Sequence, residues 1–108
     1  MANEFANAQK VGVTTVQTVY TAAAGKTCIM LELDIANTTS AVVEASVQIF
    51  DTSATTSAYI VKNAPVPAGG SLMVIAGQKI VLEATDIIKV TSTGATDVVA
   101  AILEDVNS

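Results

Sequence analysis

The chain has 108 residues, room for one domain that buries roughly 65% of its unfolded surface, and it sets ten Asp and Glu against five Lys for a net charge of -5. It has no His, Arg or Trp and a single Cys, so the usual bases, nucleophiles and metal ligands are scarce and the composition points away from catalysis, toward a structural or binding role. Hydrophobic residues make up 51% and charged residues only 14%, against about 25% charged in an average soluble domain; a surface so poor in charge favours assembly.

In chain order, residues 1–10 are short, polar and weak in strand pattern, and read as an N-terminal arm carrying Phe5 ahead of a β-domain over residues 11–108. The start has neither the basic nor the apolar region of a secretory signal, which predicts synthesis in a cytoplasm. A weak β-branched run follows from Val13 to Tyr20, and Ala24-Gly25-Lys26 reads as a tight turn. The strongest strand pattern is Thr27 to Asn37, with Ile29, Leu31, Leu33 and Ile35 on one face and Met30, Glu32 and Asp34 on the other. After a turn at Asn37-Thr38-Thr39-Ser40, the run Val42 to Asp51 points Val43, Ala45, Val47 and Ile49 inward and Glu44, Ser46, Gln48 and Phe50 outward. These two runs read as an antiparallel pair.

Weaker runs occupy Ala58 to Lys62, Ser71 to Ile75, Lys79 to Glu83, Asp86 to Ser92 and Val98 to Glu104. Between the first two, Pro65-Val66-Pro67-Ala68-Gly69-Gly70 forbids a central strand, because proline lacks the ladder N–H, and its glycines permit a positive φ. Thr93-Gly94-Ala95-Thr96 reads as a hairpin loop that pairs the last two strands. About eight short strands without an apolar stripe of helical period predict an all-β, single-domain antiparallel sandwich or jelly roll.

Chemical motifs are sparse. Gly25-Lys26-Thr27 ends like a phosphate loop, but the earlier glycine would fall at Tyr20 and a strand follows where a helix is needed. Asn37-Thr38-Thr39 fits a glycosylation acceptor by chance in a Thr-rich chain, and Cys28 reads as an inert packed thiol. Glu32 with Asp34, or Glu83 with Asp86, offers oxygen ligands for calcium without the dense acidic spacing of a dedicated loop. Paired-carboxylate glycoside hydrolysis lacks an Arg clamp and aromatic sugar platforms, since Phe5, Tyr20, Phe50 and Tyr59 are the only aromatic residues. No catalytic residue, cofactor or metal site is expected. The lysines at 10, 26, 62, 79 and 89 are dispersed, which argues against a nucleic-acid partner, and no apolar run approaches the ~20 residues of a membrane helix.

Several stretches carry a family likeness: Val19-Tyr20-Thr21-Ala22-Ala23-Ala24-Gly25-Lys26-Thr27, the strand ending Ile35-Ala36-Asn37-Thr38, Val61 through Leu72, Gly77 through Ala84, and Asp86-Ile87-Ile88-Lys89-Val90. Over about residues 19 to 104 the chain resembles small β-sandwich structural proteins of tailed bacteriophages. Their first motif commonly reads Tyr-Thr-x-Pro-Ala-Gly-Lys-Thr, and Ala23 stands here where proline is usual. The resemblance implies a non-enzymatic virion component. A capsid decoration or cement protein bound to the major capsid protein in many copies comes first, and a neck, tail or fibre component second. A glycan- or receptor-binding module is a further alternative. The resemblance also implies a homo-oligomer, a trimer by precedent. Within that reading the contacts fall on Phe5, on Met30 and Phe50 as outward residues of the two best strands, and on the loop of Pro65 and Pro67.

Overall fold

The computed structural model describes residues 4–77 and 79–105. The first three residues of the expected arm, Gln78 within one motif of the resemblance, and residues 106–108 lie outside them. The strands are β1 (Glu4–Val13), β2 (Gln17–Thr21), β3 (Cys28–Asn37), β4 (Val43–Asp51), β5 (Thr56–Val66), β6 (Ser71–Ile75), β7 (Ile80–Leu82), β8 (Ile87–Ser92) and β9 (Thr96–Glu104). They form two antiparallel sheets. One runs β1-β9-β3-β6 with β7 added beside β3, and the other runs β2-β8-β4-β5.

With β7 set aside, the chain crosses between the sheets at nearly every connection, which is jelly-roll wiring. The fold is therefore the expected all-β sandwich. The core lies between the sheets, where Met30, Leu33, Ile35, Ile75, Leu82, Val98 and Ile102 of one meet Val43, Val47, Val66, Ile88 and Val90 of the other.

Two expected pairings are corrected by this wiring. β3 and β4 do not pair, because the chain leaves one sheet at Asn37 and enters the other. The buried Asn37 side chain makes the corner: its Nδ2 donates to the carbonyls of Ala41 (2.7 Å), Val66 (3.0 Å) and Pro67 (3.2 Å), and its Oδ1 accepts from Thr39 N (2.9 Å). β8 and β9 likewise lie in different sheets, so Thr93–Thr96 is an arch and not a hairpin. Ser92 Oγ lies within hydrogen-bond reach of the carbonyls of Val13 (2.8 Å) and Gly94, which share its one proton, and 3.1 Å from Thr96 Oγ1. These buried bonds hold the arch. Gly94 is required there, since a Cβ would sit 2.6 Å from Val43 Cγ1.

The arm is corrected too. Glu4–Lys10 is the regular part of β1, paired residue by residue with β9 from Glu4↔Glu104 to Lys10↔Val98. Its inward face is Ala6, Ala8 and Lys10, too small or too polar to read as a buried face, yet it packs at the sandwich margin because an edge strand is only half covered. The run Val13 to Tyr20 is split between β1 and β2. Pro65 lies in β5, at the edge of its sheet, where its missing N–H is harmless. Gly69 takes φ +67° in the turn closed by Gly70 N to Pro67 O at 2.9 Å.

Candidate functional site

Strand register assembles the outer face of the β1-β9-β3-β6 sheet. Phe5, Leu103, Ile29 and Val81 lie in one row across β1, β9, β3 and β7. Asn7, Ala101 and Glu32 form the next row, and Gln9, Val99, Asp34 and Met73 the one after. Phe5 is 81% exposed, and Val11, Met73, Val81 and Val99 are also exposed. The expected contact residue Phe5 thus stands at the end of an apolar row on a solvent-facing sheet surface whose other rows are mixed, and an apolar stripe of this kind marks a candidate interaction site.

Met30 is the correction among the expected contacts. It is fully buried, because β3 is bulged between Met30 and Glu32: Met30 opposes Ile102 and Glu32 opposes Ala101, leaving Leu31 as the extra residue. The bulge shifts the alternation by one, so Cys28 and Met30 share the core face with Leu33 and Ile35. Phe50 is half-buried on the outer face of the other sheet, with Lys89 Nζ 5.0 Å from its ring centroid. Pro65 and Pro67 are exposed at the opposite edge of the sandwich from β1. The structure does not gather these residues into one site.

On the β1-β9-β3-β6 face, two carboxylates sit among apolar neighbours. Asp34 Oδ1 is buried without a hydrogen-bond partner, and burial, reinforced by the hydrogen bond and charge of Glu32, pushes the Asp34 carboxyl up to about 6. An unfolded Asp titrates near about 3.9, so between about pH 4 and 6 the folded chain holds more protons and stability falls as pH rises. Asp34→Asn should remove that decline. Urea midpoints at pH 4 and pH 7 test this: the variant should show a smaller drop than the parent, and equal drops would refute it.

The other polar clusters have structural work. Tyr20, half-buried, donates its hydroxyl proton to Glu104 and lies 3.5 Å from Cys28 Sγ, and burial drives its titration well above the ordinary phenol range. With Glu4, Lys26 and Asp105 these residues line a small, partly open cavity of about 110 Å³, with the Lys26–Asp105 ion pair at 3.1 Å in its wall. Asp51, Glu83 and Asp86 bring carboxylate oxygens within 4.8 Å of one another. Asp86 accepts from Thr52 N (3.1 Å) and Glu83 N (3.0 Å), and Asp51 Oδ1 from Ser53 N (3.1 Å) and Ala54 N (3.3 Å). These two carboxylates stitch turns together.

Sequence reasoning missed the outer face as a unit, because its rows draw on β1, β3, β6, β7 and β9, whose order in the sheet differs from their order in the chain. The local signal was the alternation of Phe5, Asn7 and Gln9 with Ala6, Ala8 and Lys10. No family model, curated protein or solved structure matches the chain.

Proposed function

We propose that this chain is a non-enzymatic structural protein of a tailed-bacteriophage virion, a decoration protein that binds the head lattice through the major capsid protein. The observation that carries this reading is the apolar row of Phe5, Leu103, Ile29 and Val81 on the outer face, with Phe5 exposed at its end. A jelly roll that keeps an apolar row open on one sheet face is suited to lie against another protein, and many weak contacts on a repeating lattice sum by avidity. The few charged groups and the family resemblance support the same reading.

Quantitative mass spectrometry of purified particles tests it. Decoration requires a copy number that scales with the major capsid protein, and its absence from particles would end the proposal. A low number fixed by the symmetry of a single ring would move the chain to the neck, tail or fibre. The exposed Tyr59 ring, with Lys62 Nζ 5.2 Å from its centroid, favours glycan binding as a second reading. Saturable sugar binding lost in Tyr59→Ala, by a protein absent from particles, would replace the first reading with the second.

A further inference from the structure

A sheet edge presents unpaired N–H and C=O groups, and folded proteins normally blunt such edges. Four of the five outer strands of this sandwich are blunted, β7 by its length of only three residues. β2 has five residues and a register shift between Thr18 and Tyr20. β6 has five residues and its pairing shifts between Leu33 and Asp34 of β3. β5 is long but carries Pro65, Asn63 at φ +54° and two register shifts against β4. β1 differs: Glu4–Lys10 is unbroken, and irregularity begins only between Lys10 and Val13, where Gly12 adopts φ +67°.

We propose that β1 is a homodimerisation edge, at which a second copy adds its own β1 antiparallel across a two-fold axis through Asn7. The sequence of the strand is self-complementary in that register. Glu4 falls opposite Lys10 of the second copy, Phe5 opposite its Gln9, Ala6 opposite its Ala8, and Asn7 opposite its Asn7. The symmetry repeats each pair, so two Glu–Lys pairs bracket the contact. Among the described residues neither Glu4 nor Lys10 enters an ion pair within its own chain.

The small side chains of Ala6 and Ala8 let the backbones approach between those charges. On the other face the two Asn7 amides meet at the axis, where each can donate and accept. Phe5 lies diagonal to Val11 of the second copy, within reach of an aromatic ring, so the two most exposed large hydrophobic residues, at 81% and 76%, cover each other. The regular stretch spans about 24 Å at ~3.4 Å per residue, and the two outer sheets become one continuous sheet with β1 no longer an edge. Such a contact closes with two copies, in place of the trimer that the resemblance implies, and it holds whether or not the chain belongs to a virion.

Sedimentation velocity of the full chain, with charge variants, is the test. The parent should approach twice the chain mass of 11.0 kDa. Glu4→Lys and Lys10→Glu should each weaken self-association by about 10- to 100-fold, because two attractions become two repulsions. An equimolar mixture of the two should recover association, since each charge then meets its opposite. A mixture that stays monomeric, variants that associate like the parent, or a monomeric parent at millimolar concentration would overturn the proposal. Should a charge variant fold poorly, Asn7→Cys decides: Cys28 is buried, and opposed strand residues lie within disulfide reach. The variant should form a dimer on mild oxidation. Failure to cross-link would refute the Asn7 axis.

Discussion

Deleting residues 2–10 should lower the urea midpoint of the isolated chain, because the ladder along Glu4–Lys10 and the cover it gives to β9 are lost together. The deleted strand pairs along Glu4–Lys10 with β9, which also pairs with β3 and carries Val98, Ala100 and Ile102 into the core. Without β1, β9 becomes an edge and its core side chains lose cover from Ala8. An arm outside the domain would behave oppositely, with folding intact. Urea unfolding of the two chains separates the cases: an unchanged midpoint would restore the arm.

How much of this was legible depends on whether each feature is set locally. Strand faces follow from alternation, so Leu33, Ile35, Val43, Ala45 and Val47 were found as core, all of them buried. Turns held by their own residues were also readable, as at Gly25, where φ is +75°, and at Pro67–Gly70. Strand partners were not, because the corners depend on groups far along the chain. Asn37 is held by Val66 O, 29 residues away, and Ser92 by Val13 O, 79 residues away. Nothing in Asn37-Thr38-Thr39-Ser40 or in Thr93-Gly94-Ala95-Thr96 tells a hairpin from an arch.

The candidate site divides in the same way. Phe5 stood out because an aromatic ring in a polar segment is conspicuous, and it is exposed. The row that joins it to Leu103, Ile29 and Val81 exists only after the sheet forms. Ser46, assigned outward by alternation, is buried because the left-handed Asn63 folds over it, with Asn63 N donating to Ser46 Oγ at 2.9 Å. A bulge in one strand thereby changes the exposure of a residue in its neighbour.

Met30→Ala should cost about 2–5 kcal/mol, the range for truncating a fully buried Leu, Ile or Met, and Leu33→Ala should cost the same. Regular alternation cannot bury both, since residues three apart in a strand point to opposite faces. The bulge at Leu31 removes that conflict: Met30 meets Ile102 and Ile80 across its ladders, while Leu33 meets Ala100 and Ile75. Cys28 to Leu31 is apolar throughout, so either phase satisfies the sequence there, and Glu32 and Asp34 face outward in both. Glu32 is exposed, and Glu32→Ala should stay within about ±0.5 kcal/mol. Chemical denaturation of the three variants checks the bulge. If Leu33→Ala is costly but Met30→Ala is as mild as Glu32→Ala, the strand alternates regularly, Met30 faces outward, and it returns to the list of contact residues.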